Sequence, residues 1–364
     1  MRPLFVSATK QDTGKTTVMI GLLAALRAAG YNVGYMKPVG QRCVQCGGLS
    51  VDANAILARQ AFGLEDDLAD MSPIAVEHGF TERYIHHPDP KPLEDRILSA
   101  FGRLRAAHPM MAVEGSGHAG VGSCFDLSNA RVAELLGAAA VIVTEGGIGR
   151  AIDEAALSLR LFERHGVPLI GVIMNKVHAA KAAKIRDAVA LGLAHLGTRL
   201  IGVVPYRGML VPPHMQQVVS ELGARLISGE HALTNRVDNT VVAAMTPPNL
   251  RPLLRNNTLV IAAGDRDDIL SLLVRLKDEP GAPRISGVLL TGDFEPSDET
   301  LGLLRSSGLP AALCAEPIHV VAARLGELQF RTLPDDVGKI AAIKTLVRDH
   351  VDMDALLAGI EDDS

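Results

Sequence analysis

A polar segment near the start of the chain carries residue types that bind phosphate in proteins. It covers residues 8–17, reads A-T-K-Q-D-T-G-K-T-T, follows a predicted strand and precedes a predicted helix. Backbone N–H groups in such a turn, together with the positive end of the helix, attract anions. Lys15 would contact the terminal phosphates of a nucleotide, and the Thr16 hydroxyl would ligate Mg²⁺. The predicted nucleotide contacts in this loop are Thr13, Gly14, Lys15, Thr16 and Thr17.

The loop also departs from the strict phosphate-binding pattern, because Thr9 stands where the first glycine is expected. A chance Gly-Lys-Thr at a helix start is therefore the alternative interpretation. The preceding strand and the following helix favour nucleotide binding, since that context aims the backbone N–H groups at phosphate.

A second polar pair, Asn175 and Lys176, closes a later predicted strand. P-loop proteins often use an asparagine at this place to contact the nucleotide base. The usual aspartate two residues on, which selects guanine, is replaced here by Val177 and His178. We therefore predict ATP rather than GTP as the nucleotide.

The elements that position these residues alternate between strand and helix over the first two-thirds of the chain. Such alternation indicates βαβ units and a mostly parallel sheet covered by helices on both faces. The predicted strands are Leu4–Ser7, Tyr31–Lys37, Met110–Val113, Ala139–Thr144, Leu169–Met174 and Leu200–Val204. The predicted helices are about Lys15–Ala29, Leu93–Ala107, Leu127–Leu136, Ala151–His165 and Ala180–Leu196.

The pattern restarts after about Gly229, so we predict two α/β domains, at residues 1–228 and 229–364. Turn and polar residues cluster near Ser228–Asn235, where we place the boundary. The predicted strands beyond it are Thr240–Ala244, Thr258–Ala263, Ile285–Leu290 and Leu309–Cys314. The predicted helices there are about Asp267–Lys277, Asp298–Ser307 and Asp335–Arg348.

Composition excludes several functional classes for this chain of 364 residues. The 36 Lys and Arg residues against 41 Asp and Glu residues give a formal charge of -5, which does not suit a nucleic-acid-binding protein. Four cysteines are too few for a disulfide-stabilised fold of this length, and this low number suits a reducing cytoplasm. No apolar run is long enough for a signal peptide or a membrane span, so we expect a soluble cytoplasmic protein.

The loop resembles that of dethiobiotin synthetase, in which a glycine and five residues precede Gly-Lys-Thr. Ala8 takes the place of that glycine here, and Met36-Lys37-Pro38-Val39-Gly40 resembles the family's Lys-Pro-Val segment. The resemblance implies that Lys37 contacts phosphate and the reacting carbamate. It also implies that Asp52 and Glu114, with Thr16, complete a Mg²⁺ site.

The chemistry of Mg²⁺ agrees with that implied site, because the ion prefers carboxylate, hydroxyl and phosphate oxygens in octahedral geometry. Glu114 closes a predicted strand near the loop, whereas Asp52 precedes a predicted helix at residues 53–60. A helix N-cap is therefore an equal alternative for Asp52.

Two further segments resemble known ATPases. Val203-Val204-Pro205-Tyr206 is similar to an adenine-side segment of the same family, which implies that Pro205 lies against the nucleotide; a strand ended by proline is the alternative. Lys10 stands five residues before Lys15, as does the signature lysine of partitioning and division-site ATPases. That resemblance implies a nucleotide-dependent homodimer, and a solvated lysine near phosphate is the alternative.

The C-terminal region resembles the DRTGG domain, on Gly264-Asp265-Arg266-Asp267-Asp268-Ile269 and Val288-Leu289-Leu290-Thr291-Gly292-Asp293. This domain is appended to the nonessential front part of some phosphotransacetylases, so the predicted fold is a P-loop NTPase with a second, smaller DRTGG-like α/β domain. Asp293 departs from the family's Thr-Gly-Gly. The acetyltransferase domain would follow Ser364, so we expect this chain not to transfer acetyl groups on its own. Asp265 and Arg266 suit either anion sensing or a capped helix start.

Three weaker constellations remain open. Cys43 and Cys46 form half a zinc site or a redox pair, or are two idle thiols. His118 follows Glu114 in a glycine-rich run, which makes it a candidate substrate contact. Arg150 follows a glycine-rich turn at a strand end, where it would bind a substrate carboxylate or belong to a packing turn.

Two functional hypotheses follow. The first is an ATP-dependent, ligase-like enzyme that phosphorylates a carboxylate or carbamate, with Lys15 and Lys37 as catalytic residues and a small-molecule substrate. The second is a regulatory or assembly ATPase, a homodimer whose DRTGG-like domain senses an effector or contacts a partner enzyme. The replacement of the family's serine after Lys-Pro-Val by Gln41 favours the second hypothesis. The complete set of Lys15, Thr16, Lys37, Asp52 and Glu114 favours the first.

Overall fold

The protein divides into two compact units. The computed structural model describes residues 1–206, 212–327, 332–334 and 336–361. The first unit comprises Met1–Leu210 together with Thr332–Ser364, and the second comprises Val211–Arg331. Each unit is built around its own sheet, with apolar residues buried on both faces.

The first unit contains a six-stranded parallel sheet in the order β10-β9-β8-β1-β7-β2, with two small two-stranded pairs beside it. The strands are β1 (Leu4–Ala8), β2 (Val33–Met36), β3 (Val39–Gly40), β4 (Cys43–Cys46), β5 (Leu49–Asp52), β6 (Ile74–Ala75), β7 (Met110–His118), β8 (Ala139–Glu145), β9 (Leu169–Val177) and β10 (Leu200–Pro205). The helices are α1 (Lys15–Ala28), α2 (Ala53–Phe62), α3 (Leu68–Met71), α4 (Phe80–His86), α5 (Lys91–Ala107), α6 (Asn129–Leu135), α7 (Gly149–Arg164) and α8 (Ala182–His195).

The second unit contains a five-stranded sheet in the order β11-β15-β14-β13-β12, parallel except for β11. Its strands are β11 (Arg225–Ser228), β12 (Asn239–Val242), β13 (Thr258–Ala263), β14 (Ile285–Thr291) and β15 (Ala311–Cys314). Its helices are α9 (Met215–Leu222), α10 (Pro247–Leu250), α11 (Asp267–Asp278), α12 (Asp298–Ser307) and α13 (Ile318–Glu327). Two further helices, α14 (Val337–Arg348) and α15 (Met353–Glu361), belong to the first unit.

The predicted α/β fold class is confirmed, and so are the predicted strands of both sheets within a few residues at their ends. Strand β1 lies at the centre of the first sheet, and its residues are fully buried because helices cover both faces. All six strands run in the same direction, so their carboxyl ends meet at one edge. The loop that follows β1 opens at this edge, where open α/β sheets bind ligands.

The division into compact units differs from the predicted domain boundary at residues 228 and 229 in two respects. Helix α9 and strand β11 precede it but belong to the second unit, where β11 pairs with β15. Helix α14 was assigned to the second domain, yet it packs against α1: Ile343 and Val347 are fully buried, and a Cβ at Gly21 would lie 2.2 Å from that of Val347. Sequence periodicity identifies an apolar helix face but not its partner.

The hairpin of β4 and β5 was not predicted from the sequence, because its strands have only four residues each and several of their side chains are exposed. None of the helices in the described ranges is long and apolar enough to cross a bilayer.

Candidate nucleotide site

The loop between β1 and α1 depends on a glycine at its end. Gly14 is the N-cap of α1 and has a φ of 82°, a conformation that residues with a Cβ rarely adopt. A Cβ at this position would also lie 2.2 Å from Nδ2 of Asn175. Two independent constraints therefore require glycine immediately before Lys15, and they position the first turn of α1 below the loop.

The loop and first turn present unused hydrogen-bond donors. The N–H groups of the first helical turn have no partner within a helix. The Thr13 hydroxyl is buried and has no hydrogen-bond partner among the residues that the structure describes. An uncompensated buried hydroxyl is costly, and a bound group with acceptor oxygens would satisfy it. These features fit a phosphate chain.

Glu114 is the centre of the site and is 1% exposed. Strand β7 lies between β1 and β2, with Met36 paired to Val113. Glu114 and Lys37, the residues that follow this pair on the two strands, therefore come together at the sheet edge. The Nζ atoms of Lys37 and Lys15 lie 3.8 Å and 4.0 Å from Glu114 Oε1. The Thr16 hydroxyl donates to the same oxygen at 2.8 Å.

Two side chains that the sequence analysis did not identify also bind Glu114. The Tyr35 hydroxyl, fully buried, donates to Oε2 at 2.9 Å. The Asn54 amide donates to Oε1 and to the Thr16 hydroxyl oxygen, both at 3.0 Å. Tyr35 precedes Lys37 by two residues and Asn54 follows Asp52 by two. This closeness in sequence to predicted site residues is the feature from which they could have been predicted.

Charges in this cluster shift one another's pKa values. Burial, and then the neighbouring Lys37, lower the pKa of Lys15 from 10.5 to about 8. Burial by itself would raise the pKa of Glu114, but Lys37, Lys15 and the two hydroxyl donors outweigh it and keep that pKa below its ordinary 4.5. Burial and the Glu114 charge raise the pKa of Tyr35 well above 10.0. At neutral pH, a mostly protonated Lys15 therefore faces an ionised Glu114.

Asp52 has the N-cap geometry that the sequence analysis gave as an alternative. Its Oδ1 accepts the N–H of Asn54 at 2.9 Å, and its Oδ2 accepts those of Gln41 and Arg42 at 3.1 Å and 3.2 Å. It is close enough to Lys15 to raise the pKa of that lysine slightly. The structure thus brings Thr16 and Glu114 into direct contact and holds Asp52 beside them through backbone groups; its role as a Mg²⁺ ligand stays a prediction.

Asn175 and Lys176, near the end of β9, donate hydrogen bonds to the loop between β1 and α1. The Asn175 amide donates to the Thr13 carbonyl at 2.8 Å, and Lys176 Nζ donates to the Asp12 carbonyl at 2.5 Å. Pro205 is paired with Val177 across β10 and β9, so it lies beside this segment. Tyr206 donates its N–H to the Val177 carbonyl, and its ring contacts that of His178. The predicted base-side residues therefore lie together next to the loop.

Lys10 forms an ion pair within its own chain. Its Nζ lies 2.5 Å from Glu145 Oε2, while Lys176 holds the other oxygen at 3.2 Å. Arg150 is paired with Glu154 at 2.6 Å, and Glu154 accepts the Thr9 hydroxyl at 2.9 Å. Both cations are thus engaged at the rim of the loop.

The remaining constellations are not organised as metal centres. Cys43 and Cys46 lie three residues apart on one strand, which separates them by about 10 Å along the strand and directs their side chains to opposite faces. They therefore cannot bind the same ion. Burial raises the pKa of Cys43, which disfavours a reactive thiolate. No group of three or more His, Cys, Asp and Glu residues in the described parts of the chain forms a metal cluster. His118 is exposed and accepts the Gly120 N–H.

In the second unit, Arg266 has the structural role that the sequence left open. It pairs with Asp268 at 2.7 Å and donates to the carbonyls of Ala243 and Met245 at 3.4 Å and 2.9 Å. The motif thereby joins the start of α11 to the end of β12. A Cβ at Gly264 would lie 1.6 Å from the Phe294 carbonyl oxygen, so that position requires glycine.

Comparison with known families supports this organisation. The sequence profile of the AAA domain matches residues 2–214, which is more than half of the chain. The chain belongs to the AAA domain family. The profile of the DRTGG domain matches residues 217–327, so the predicted pairing of a P-loop ATPase domain with a DRTGG domain is confirmed. Both matches end close to the division between the two compact units.

Curated relatives match the chain over nearly its full length. Phosphate acetyltransferase from Pseudomonas aeruginosa is 28% identical over 373 residues, covering 98% of this chain and 52% of that protein. Phosphate acetyltransferase from Synechocystis sp. is 27% identical over 366 residues, covering 97% and 51%. The chain thus spans about half the length of the curated relatives it matches. Among solved structures, the MinD cell division protein of Aquifex aeolicus is 15% identical with a TM-score of 0.38, covering 58% of this chain and 84% of that one.

Proposed function

We propose that the first unit of this protein binds Mg²⁺ and ATP at the loop Ala8–Thr17 and phosphorylates a carboxylate or carbamate, as a ligase-like enzyme. The observation that carries the proposal is the buried cluster in which Lys15, Lys37 and Thr16 converge on Glu114. Buried charges are retained where they serve binding or catalysis, since they rarely stabilise a fold. The substrate is a small molecule, and the protein acts in the cytoplasm.

The donors present suit Mg²⁺. Thr16 Oγ1 and Glu114 Oε1 are two hard oxygen atoms 2.8 Å apart, and Asp52 supplies a further carboxylate nearby. When bound, the ion neutralises charge on the phosphate oxygens. Asn54, which donates to both oxygens, keeps Thr16 and Glu114 oriented toward the same point.

The two lysines provide positive charge for phosphoryl transfer. Lys15 has a pKa of about 8 and is therefore mostly protonated at pH 7. Lys37 donates to the Gly115 carbonyl at 2.6 Å and retains N–H groups for a phosphate or a carboxylate substrate. Cations fixed in a buried site stabilise charge that develops in the transition state without reorganising.

Asn175, Pro205 and the Tyr206 ring are our candidates for the adenine side. Asn175 uses its amide N–H to hold the loop, which leaves its carbonyl oxygen for the exocyclic amine of adenine. No acidic residue stands at Val177 or His178 to select guanine.

The second candidate function is a regulatory or assembly ATPase, and it is supported by the position of Lys10 in the phosphate loop, where it pairs with Glu145. Lys10 would have to leave Glu145 to reach the nucleotide of a partner subunit, so nucleotide would control a homodimer. The curated relatives that the chain matches are phosphate acetyltransferases, and an enzyme of that kind is our candidate partner.

The test is calorimetric titration of the full chain with ATP and GTP, with and without Mg²⁺, and phosphate release measured on the same sample. We expect ATP to bind more tightly than GTP and Mg²⁺ to be required for release. Lys15→Ala should abolish binding, whereas the control Lys91→Ala, on the exposed part of α5, should not change it. Equal ATP affinity in the Lys15→Ala variant and the control would refute the site.

The same sample separates the two functions. Steady phosphate release that rises when carboxylates or carbamates are added would support the ligase-like enzyme. Tight ATP binding with negligible release and a higher dimer fraction would support the regulatory ATPase. In that case Lys10→Ala should abolish the change in dimer fraction and leave ATP affinity within a few-fold.

A further inference from the structure

The second unit contains a cavity of about 350 Å³ that the nucleotide site does not involve. It lies at the amino ends of β14 and β15, where the chain enters them from α11 and α12. The acidic DRTGG motif residues stand on the opposite side of this sheet, at the carboxyl ends of β13 and β14. Its volume falls at the lower end of the range for small-molecule sites.

The floor of the cavity is aliphatic. Leu273, Leu276 and Leu309 line it and are themselves almost completely buried from solvent. Among its lining residues, all in the described part of the chain, the His231 imidazole is the sole aromatic ring. Such a floor suits an alkyl group and offers no aromatic platform on which a nucleotide base could stack.

The rim of the cavity is basic. Lys277 and Arg284 line it, and the Arg284 guanidinium has no ion pair or hydrogen bond with any residue that the structure describes. Lys277 donates to the Ser307 carbonyl, which fixes the ammonium at the rim and leaves two of its three N–H groups. The acidic lining residue, Glu279, is already paired with Arg251. The rim therefore carries an excess of positive charge.

Gly308 allows His231 to join this rim. It ends α12 with a φ of 66°, and a Cβ there would lie 2.8 Å from two atoms of the His231 ring. The same Cβ would come within 3.5 Å of Lys277 Nζ. A glycine at this helix end thus brings a histidine and a lysine together, which a larger residue would prevent.

We propose that this cavity is a binding site for a small aliphatic anion, a carboxylate or a phosphate monoester with a short alkyl chain. The alkyl chain would lie on the three leucines and the anionic group would face Arg284, Lys277 and His231. A carboxylate or phosphate accepts two hydrogen bonds from a guanidinium, which makes Arg284 the main determinant of charge recognition. This site is independent of ATP binding in the first unit.

The experiment titrates the full chain with hexanoate and with hexyl phosphate, using hexanol and inorganic phosphate as reference compounds. Arg284→Gln removes the unpaired guanidinium at an exposed position, and Arg305→Gln, on the exposed side of α12, is the matched control. We expect either anion to bind in the wild type and in the control. Loss of one charge-assisted contact should weaken it by about tenfold or more in Arg284→Gln.

Comparison of the two anions identifies the anionic group of the ligand. Stronger binding of hexanoate indicates a carboxylate, and stronger binding of hexyl phosphate indicates a phosphate ester. Weaker binding of hexanol and of inorganic phosphate would show that the site requires both the anionic group and the alkyl chain of the ligand. Equal binding in Arg284→Gln and Arg305→Gln places the anion elsewhere, for example at the phosphate loop, and overturns the proposal. Absence of binding of both anions at millimolar concentration also overturns it.

Discussion

The substitution Glu114→Gln tests whether the buried cluster is held together by charge. It keeps the shape of the side chain and the acceptor oxygen for Thr16, but removes the negative charge that faces Lys15 and Lys37 at 4.0 Å and 3.8 Å. Removing one partner of a buried ion pair costs about 3–5 kcal/mol, because the remaining charge is left uncompensated. We expect the lower end of this range, about 3 kcal/mol at pH 7, since lysine can release its proton.

The contribution of Lys15 can be worked from its pKa. In the wild type, a folded pKa of about 8 against 10.5 in the unfolded chain means that the buried Lys15 destabilises the fold by about 3 kcal/mol at pH 7. Without Glu114 the folded pKa of Lys15 falls further, and the cost cannot exceed that of folding with a neutral Lys15, about 5 kcal/mol at pH 7. The share of Lys15 in the loss is therefore at most about 1–2 kcal/mol, and Lys37 with the weakened hydrogen bonds supplies the rest.

The Lys15 proton sets the sign of the pH dependence. Between pH 7 and 8 the unfolded chain keeps this proton, and the folded variant, in which the pKa of Lys15 is lowered further, binds less of it than the folded wild type does. The stability of the variant therefore rises with pH more steeply than that of the wild type. By pH 9 Lys15 is neutral in both folded proteins, so the destabilisation should shrink by about 1 kcal/mol or more.

The assay is hydrogen exchange at increasing urea, read on peptides of β7 at pH 7 and pH 9, because the chain has no tryptophan and two units that could unfold separately. The control Glu163→Gln removes an exposed ion pair on α7 and should cost less than about 1 kcal/mol at either pH. A loss for Glu114→Gln as small as that of the control, or equal losses at both pH values, would refute the charge argument.

Three further predictions concern the surroundings of the site. Tyr35→Phe removes a buried donor to Glu114 and should cost about 2 kcal/mol in the same assay; a neutral result would mean that the hydroxyl is not needed to position the carboxylate. Gly21→Ala introduces a Cβ 2.2 Å from that of Val347 and should cost about 1–3 kcal/mol, with part recovered in the double variant with Val347→Ala; additive losses would contradict direct packing. A chain ending at residue 327 should show faster hydrogen exchange in α1, since α14 would be absent, and unchanged exchange would count against the assignment of α14 to the first unit.

Much of the fold was predictable because parallel sheets are buried on both faces. Continuous apolar runs such as Leu4–Ser7 and Ala139–Thr144 identify themselves without knowledge of their neighbours. The β4–β5 hairpin was not predictable in this way, since its strands are short and half-exposed. The predicted boundary at residue 228 differs from the structural division because α14 belongs to the first unit. An amphipathic pattern identifies the apolar face of a helix but does not specify which element packs against that face.

The sequence by itself determined the loop, its lysine and threonine, and the carboxylate that closes β7, because local spacing alone produces a strand, a turn and a helix N-terminus. Tertiary structure alone decided which residues surround that carboxylate. Tyr35, Lys37 and Asn54 are 60 to 79 residues from Glu114 along the chain and meet it only because β2 and β7 end, and α2 begins, at the same edge of the sheet. It also decided that Asp52 caps a helix and that Lys10 pairs with Glu145, since hydrogen bonds and ion pairs depend on distances that a linear pattern does not contain.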